Sequence, residues 1–231
     1  MVEDKAAGQL AREELILAAI ALFAEIGVDA VTLRMINRAA GHKNNSSLHY
    51  HFGSKDGLVE AVSEFIQSHF DALREPALST LEAAAETGPV GVREIMQAFV
   101  EPYLRVIQDY EWGYAAVRTI ARMEFDGDLR VREHLSKSAR RVMQRLSRLH
   151  RAALPRLGPE EFNRRFNHVV TSTILGFADY RSLGSSYLGD LSVASLPRLG
   201  DFYVSVGAAV LMAPPEEPDA SVRGGDAPRT P

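Results

Sequence analysis

The feature that most constrains this chain is the stretch of residues 32–55, TLRMINRAAGHKNNSSLHYHFGSK. It contains a short segment with helical apolar spacing, a glycine, a polar segment that ends in aromatic residues, and a new helix start. Basic side chains occur at Arg34, Arg38, Lys43 and Lys55, and the stretch has no acidic residue. The whole chain has a formal net charge of −4. This local excess of positive charge is typical of a surface that meets phosphate groups.

Composition narrows the class of protein. The 231 residues are enough for one large domain or two small ones. The absence of cysteine excludes disulfides, thiolate zinc sites and cysteine nucleophiles. No apolar run is long enough to span a bilayer, and the run at residues 15–24 has flanking glutamates and no cleavage site, unlike a signal peptide. We therefore expect a cytoplasmic protein with no membrane partner.

The first half of the chain predicts four helices. Residues 1–9 are polar and are expected to be frayed. A first helix then carries an apolar stripe and ends at Gly27, and a second helix begins after Thr32 as N-cap and closes at Gly41. The stripe consists of Leu15, Ala18, Ala19, Leu22, Phe23 and Ile26.

A short third helix is predicted at about residues 45–52, with Leu48 and Phe52 on its inner face. Ser54 caps a fourth helix, which is expected to run to about Arg74 because Pro76 marks its end. Two helices joined by a glycine-containing turn and supported by a preceding helix make a helix-turn-helix unit.

The polar residues of this unit suit contact with DNA. Five side chains are expected to donate to or accept from base edges: Asn44, Asn45, Ser46, Ser47 and His49. Four others are placed to meet phosphates: Thr32, Tyr50, His51 and Lys55. A plain helical hairpin with a solvated face is the alternative interpretation of the same pattern. The predicted DNA-binding residues are Thr32, Arg34, Lys43, Asn44, Asn45, Ser46, Ser47, His49, Tyr50, His51 and Lys55.

The run AGHKNNSSLHYHFGSKDGLVEAV resembles the DNA-binding signature of TetR-family transcriptional regulators. That family has a Tyr-(Tyr/His)-Phe exit from the helix-turn-helix, a Ser-Lys helix start and a leucine, matched here by Tyr50, His51, Phe52, Ser54, Lys55 and Leu58. The resemblance covers about residues 10–68. The turn after Gly41 is one residue longer than the commonest family pattern and resembles a subgroup with Arg/Lys-Asn-Asn-Ser, here residues 43–46.

The rest of the chain reads as successive helices without period-two alternation. Pro102 interrupts a helix at residues 92–108 and is expected to kink it. Asp109 is expected to cap the next helix, which extends through Met123, and residues 125–128 form a turn with two aspartates as turn and cap residues. Residues 130–151 form a strongly basic helix. It is interpreted as a solvated face that balances acids elsewhere, with an anionic effector such as an acyl-CoA, or an added DNA contact, as the alternatives.

Two long apolar helices follow at residues 160–183 and 192–212. The second is apolar nearly all round, so it needs a partner, and the pair is able to form half of a four-helix bundle across a two-fold axis. Intramolecular burial is the alternative. The resemblance also implies a dimer interface here. The predicted organisation is all-α: a DNA-binding domain at residues 9–69, an effector-binding and dimerisation domain at 70–213, and a disordered tail at 214–231.

The sequence contains no recognisable set of catalytic residues. Phosphate-binding glycine loops, nucleophile elbows and His-Glu-x-x-His motifs are missing, and His49 and His51 are two residues apart, so a helix points them in different directions. We expect no catalytic residue, no metal site and no cofactor.

The sequence thus predicts a homodimeric TetR-like repressor released from a palindromic operator in double-stranded DNA by an unknown small-molecule effector. The predicted effector-binding residues are Phe99, Tyr103, Trp112, Tyr114, Arg118, Phe177 and Tyr180. Two other functions stay open: an activator or constitutive regulator without an effector, and a helical interaction protein that no longer reads DNA.

Overall fold

A computed structural model describes residues 2–42, 46–126, 128–191 and 195–214, with the side chains of residues 2–6, 46 and 47 left out. Within these residues the chain forms α-helices, one 3-10 helix and no strand. The predicted all-α fold is therefore confirmed. The helices are α1 (Val2–Ile26), α2 (Leu33–Ala39), α3 (Ser46–Phe52), α4 (Lys55–Thr87), α5 (Val92–Asp109), α6 (Gly113–Phe125), α7 (Leu129–Ala153), α8 (Pro159–Asp179), the 3-10 helix (Tyr180–Ser185) and α9 (Leu196–Met212).

Local signals explain most of the helix boundaries. The hydroxyl of Thr32 accepts a hydrogen bond from the Met35 amide at 3.3 Å, and the hydroxyl of Ser54 accepts one from the Gly57 amide at 3.0 Å. Asp128 caps α7 in the same way through the Val131 amide. Gly27 ends α1 with a φ of 81°, a conformation that most side chains disfavour. These predicted caps and stops are confirmed.

Other boundaries differ from the sequence predictions. α1 begins at Val2, so the frayed segment expected at residues 1–9 is helical from residue 2. α8 ends at Asp179 and gives way to the 3-10 helix, short of residue 183. α9 begins at Leu196, and the start predicted at residue 192 lies outside the described residues. Of the predicted tail, only Pro214 is described.

The largest error concerns α4, which continues through Pro76 to Thr87. A proline inside a helix removes one backbone hydrogen bond, and long-range contacts on both sides of it offset that loss. Beyond the proline, Leu78 is fully buried in the core, and Glu75 before the proline and Glu82 after it both bind Arg145 of α7. α4 therefore crosses the predicted boundary at residues 69 and 70, and the division into domains stays a prediction.

The prediction that Asp109 caps the helix after α5 is also wrong. Asp109 is the last residue of α5 and pairs with Arg105 at 2.8 Å. α6 starts at Gly113, where a Cβ atom would lie 1.8 Å from the carbonyl oxygen of Val106. The two helices approach so closely here that only glycine fits at the start of α6, and Trp112 occupies the N-cap position without a capping side-chain bond. Like α4 at Pro76, α5 runs across Pro102 as one helix.

The helices pack around a single core that reaches from α1 to α9. α1 contacts α2, α3, α4 and α6, while α4 also contacts α5 and α7. α9 packs on α5 and α8. In the described part of the chain, no helix has the length and apolarity needed to cross a membrane.

Candidate nucleic-acid interface and cavity

The outer side of α3 is exposed and polar. Leu48 is buried, whereas Tyr50 is 85% exposed and His49 is exposed as well. An aromatic residue so open to solvent is not held by the core. It lies one helical turn from the start of α3, with its hydroxyl free to reach a neighbouring molecule. α3 therefore packs through one face and presents the other outward, as the sequence predicts.

The two histidines of α3 have different environments. The Nδ1 atom of His49 lies 3.0 Å from the carbonyl oxygen of Gly53, so in the tautomer that donates this bond its Nε2 atom is left for other partners. His51 is half-buried, and its ring makes an edge contact with Tyr50 at 5.1 Å between centroids. Partial burial and the nearby Arg12 and His42 charges lower the pKa of His51. His51 is therefore a neutral hydrogen-bonding group at neutral pH.

The basic residues around α3 lie on α2 and at the start of α4. Arg34 and Arg38 are exposed, and no ion pair within the described residues involves either of them. Lys55 is half-buried, and its ammonium group donates a hydrogen bond to the Asp29 carbonyl at 3.1 Å. That bond positions a cation beside the start of α4 without neutralising it, because a carbonyl oxygen carries no formal charge.

The turn between α3 and α4 is unusually tight. Gly53 has a φ of 70°, and a Cβ atom on Gly57 would lie 2.2 Å from the carbonyl oxygen of Phe52. Only glycine fits at position 57, although its φ is not positive. The turn fixes the outward face of α3 relative to the long helix α4.

A cavity of about 1160 Å³ lies between α4, α6, α7 and α8, with Tyr103 of α5 at its wall. Its apolar lining includes Phe70, Ile120, Phe166 and Ile174. Its volume is slightly above the range of about 300–1,000 Å³ that is typical of small-molecule sites. α4 contributes to this cavity and also starts directly after α3, so the two sites share one helix.

Comparison with known proteins assigns the family. Residues 15–62 match the family described as bacterial regulatory proteins, tetR family, and residues 97–205 match the family described as tetracyclin repressor-like, C-terminal domain. The chain belongs to the TetR family of transcriptional regulators. The resemblance to TetR-family regulators that the residues around α3 indicated is confirmed. Membership of a family of regulators agrees with the prediction that the chain is not an enzyme.

Two curated relatives are known repressors. The HTH-type transcriptional repressor AcnR of Corynebacterium glutamicum is 29% identical over 139 residues, and that of Corynebacterium efficiens is 28% identical over 139 residues. Each alignment covers 59% of this chain and 64% of the relative. The match thus spans less than two thirds of these relatives.

Solved structures share the fold of this TetR-family chain. A putative TetR-family regulator from Rhodococcus sp. is 16% identical with a TM-score of 0.56, and it covers 87% of this chain and 98% of its own. A putative tetR-family regulator from Shewanella sp. is 13% identical with a TM-score of 0.57, covering 85% and 95%. GusR of Salmonella enterica is 18% identical with a TM-score of 0.52, covering 87% and 95%. At these identities the likeness concerns the fold alone.

The structure brings only part of the predicted DNA-binding set into view. The exposed side of α2 and α3 is called the α2–α3 surface below. Six of the predicted residues lie on or beside it: Thr32, Arg34, His49, Tyr50, His51 and Lys55. Lys43, Asn44 and Asn45 lie outside the described residues, and Ser46 and Ser47 are described by their backbone alone. Arg38 is exposed on the same surface and was not among the predicted contacts, although its charge was visible in the sequence.

The predicted effector residues do not share one site. Tyr103 lines the cavity, but its ring stacks on Phe177 at 5.5 Å between centroids and meets Phe99 at 5.6 Å, and both of these phenylalanines are fully buried. Tyr114 and Tyr180 form a separate pair, 5.1 Å apart between centroids. Arg118 lies near Tyr114, and Trp112 packs against Phe65 and His69. The effector-binding role of these residues stays a prediction.

Sequence reasoning missed several cavity residues, above all Arg74. The sequence placed Arg74 at the end of the fourth helix, where a charged residue is normally solvated. In the structure, α4 continues beyond Arg74, and the side chain of Arg74 is buried against the cavity. The only available signal was the helical spacing of Phe70, Arg74 and Leu78, which places the three residues on one face.

Within the described residues, no group of histidines, aspartates and glutamates is arranged to hold a metal ion.

Proposed function

We propose that this chain is a DNA-binding transcriptional repressor that acts as a homodimer on a palindromic operator and leaves it when a small molecule binds. The outward face of α3, with cations beside it on α2 and α4, is the observation that carries the proposal. An exposed helix with hydrogen-bonding side chains is able to enter the major groove while flanking cations meet phosphates. The repressor names of the two Corynebacterium relatives support the sign of regulation.

Exposed apolar residues support the homodimer. Leu175 of α8 is 46% exposed, and Phe202 and Val206 of α9 are 54% and 40% exposed. Side chains of this kind on two adjacent helices form a face that a second copy of the chain would cover. A two-fold axis through this face places two copies of α3 for contact with DNA. The expected operator half-sites are then about 34–36 Å apart, or a multiple of that distance.

Two helices connect the cavity with the DNA-facing part. α4 carries Phe70 and Arg74 at the cavity and Ser54 at its capped start beside α3. α6 carries Ile120 and Glu124 at the cavity, while Thr119 and Arg122 donate hydrogen bonds to the carbonyls of Ile20 and Glu25 in α1. A ligand that moves either helix would change the spacing of the two α3 helices. A full switch from 1:99 to 99:1 needs a difference in binding free energy of about 5.5 kcal/mol between the two states.

A mobility-shift assay on the DNA upstream of the protein's own gene tests DNA binding. We expect a palindromic fragment to be retained at low salt. Tyr50→Ala and Lys55→Ala are expected to weaken binding to all fragments, whereas Asn45→Ala and Ser47→Ala are expected to change the preferred sequence. Equal losses on all fragments from both pairs would show that the base-reading residues are misassigned. No binding to any fragment at low salt would leave the helical interaction protein as the remaining function.

Sedimentation of the full chain tests the homodimer. The wild type is expected to sediment as a dimer, and Phe202→Glu as a monomer with unchanged helical content. Arg38→Glu is the control, because Arg38 is exposed on α2, which packs on α1 rather than on α8 or α9, and this variant is expected to remain a dimer. A wild-type monomer at micromolar concentration that still binds a full palindrome would contradict the interface.

A further inference from the structure

Arg74 is a buried charge without a matching partner. Its side chain is 1% exposed, and neither its Nε nor its Nη1 atom donates a hydrogen bond to any atom of the described residues. The nearest carboxylate oxygen is Oδ1 of Asp71, 3.5 Å from Nη1, which is long for an ion pair with a hydrogen bond. The same oxygen accepts a hydrogen bond from Gln67 at 2.8 Å. Asp71 therefore neutralises Arg74 only in part.

The other acidic residues near Arg74 are already engaged. Arg145 binds Glu75 at 2.6 Å and Glu82 at 2.8 Å, so neither carboxylate is left for Arg74. Burial lowers the pKa of Arg74, yet a guanidinium group stays protonated in proteins. A buried charge that is only partly neutralised is costly, and proteins normally keep one where an anion binds or where function requires it.

The surroundings of Arg74 define the kind of anion. It lines the 1160 Å³ cavity, whose wall also has the apolar and aromatic side chains of Phe70, Tyr103, Phe166 and Ile174. Seven arginines line this cavity against three glutamates. Three of the arginines, Arg132, Arg145 and Arg148, pair with Glu124 or Glu82, and the other four leave the lining with an excess of positive charge. A single buried guanidinium matches the charge and the bidentate shape of one carboxylate.

We propose that the cavity binds an organic carboxylate, with its carboxylate group held by Arg74 and its apolar body against Phe70, Tyr103 and Phe166. The proposal deepens the function above, since this carboxylate would be the class of effector that releases DNA. Its binding is nevertheless measurable without DNA. Arg74 becomes the specificity-determining residue, because it separates an acid from a neutral molecule of the same shape.

Calorimetric titration of the full chain with matched probes tests this. The probes are octanoate and 4-phenylbutyrate, each compared with its neutral primary amide. Each carboxylate is expected to bind at least about tenfold more tightly than its amide, as a charged hydrogen-bonded pair in a buried site implies. Arg74→Met is expected to abolish this preference, and Arg74→Lys to retain part of it, because lysine keeps the charge and loses the bidentate geometry.

Arg140→Gln is the matched control. Arg140 also lines the cavity but is exposed, so its loss is expected to change carboxylate affinity by less than about threefold. Three results would overturn the proposal: amides that bind as tightly as acids, a carboxylate preference that survives in Arg74→Met, or an equal loss from Arg140→Gln. Binding of octanoyl-CoA without binding of octanoate would also overturn it, since the exposed arginines would then hold the anion.

Thermal unfolding of the ligand-free variants excludes a purely structural role. Arg74→Met removes an unmatched buried charge, so its melting temperature is expected to equal or exceed that of the wild type. A clear decrease would show that Arg74 serves the fold. The DNA assay separates the two proposals. If the chain binds carboxylates but no operator, the proposed repressor function is wrong and the proposed carboxylate site stands. If it binds an operator but shows no preference for carboxylates, the carboxylate site is wrong and the repressor function stands.

Discussion

The α2–α3 surface and the basic helix α7 both look cationic in the sequence, but they use their charges differently. In α7, Arg145 binds two glutamates of α4, and Lys137 binds Glu60 of α4 at 2.6 Å. On the α2–α3 surface, the exposed Arg34 and Arg38 have no ion pair with any described residue. The density of basic residues along a chain therefore does not locate its positive surface. The positions of the acidic partners decide it.

The contact between α4 and α7 shows where the acidic partners of the basic helix α7 lie. The helix was expected to be a solvated face that balances acids elsewhere in the chain, and three such acids, Glu60, Glu75 and Glu82, lie opposite it on α4. Hydrogen bonds from Arg145 lower the pKa of Glu75 to about 2, so this carboxylate is charged at any physiological pH. Positive charge that is already matched in this way attracts phosphate less than the charge of Arg34 and Arg38 does.

Charge reversal on α2 is expected to have the largest effect. The double variant Arg34→Glu/Arg38→Glu should lower affinity for the operator at least about hundredfold at low salt, because two exposed cations that we propose to meet phosphates become anions. Fluorescence anisotropy with labelled operator DNA measures the loss. Circular dichroism is expected to show unchanged helical content.

The control for that variant is Arg140→Glu/Arg156→Glu, which makes the same change in net charge on α7 and the turn after it. We expect less than about tenfold loss from this control, through the long-range field alone. If it weakens binding as much as the α2 variant does, the comparison between the two basic regions is wrong.

Another residue of α7, His150, looks basic in the sequence but is buried in the structure, where burial disfavours its charged form. It is fully buried, its Nδ1 atom lies 2.9 Å from the Leu146 carbonyl oxygen, and burial lowers its pKa to about 4. Because the folded pKa is below the ordinary value of 6.5, the unfolded chain binds more protons between these two values. Stability is then lost as pH falls from about 6.5 to 4, by about 3 kcal/mol in the limit.

Urea unfolding of the wild type and His150→Leu over this pH range measures that loss. The wild type is expected to lose stability on acidification more steeply than His150→Leu, which lacks the titrating group. Equal slopes for the two proteins would mean that His150 is protonated or solvated in the folded state.

The loss of Arg145 is expected to have a smaller effect. Its side chain is only 11% exposed, and Arg145→Met removes the main partner of both Glu75 and Glu82. Glu75 then keeps only the hydrogen bond from Ser79, and Glu82 only the long contact with Arg148 at 3.9 Å. Because both carboxylates are partly exposed, we expect a decrease of about 1–2 kcal/mol in the free energy of unfolding. Arg34→Met is the matched control and should change it by no more than about 0.5 kcal/mol. A decrease as large in the control as in Arg145→Met would remove the distinction between paired and unpaired cations.

The exposed pair between Lys137 and Glu60 should have the smallest effect. Lys137 is 68% exposed, so solvent and salt screen the pair. Lys137→Met is expected to leave the unfolding midpoint in urea unchanged within the error of measurement. A clear decrease that disappears at high salt would show that this pair, too, stabilises the α4–α7 contact.

The sequence predicted the first three helices and the start of the fourth well, because their signals are local. Thr32, Ser54 and Gly27 each fix a helix boundary through a cap or a backbone conformation that only a few residue types supply. The end of α4 was missed because Pro76 is a strong local stop signal. The burial of Leu78 and the pairing of Glu82 with Arg145 offset it, and both depend on a helix more than sixty residues away in the chain.

The cavity was less predictable than the DNA-facing surface for the same reason. Aromatic residues such as Phe99 and Phe177 are equally good candidates for a ligand site and for a core, and their full burial becomes visible only in the structure. Arg74 looks like an ordinary surface arginine until α7 and α8 are placed around it. An exposed recognition surface needs only one helix and its turn, whereas a cavity needs several distant helices at once.

The central claim, that the outward face of α3 rather than α7 contacts DNA, is tested most directly by photo-crosslinking. p-Benzoylphenylalanine placed at Tyr50 is expected to crosslink to operator DNA in high yield, and the same residue placed at Arg140 should give none. Both side chains are exposed, so access to the probe does not distinguish them. Crosslinking from position 140 at a yield equal to or above that from position 50 would contradict the account.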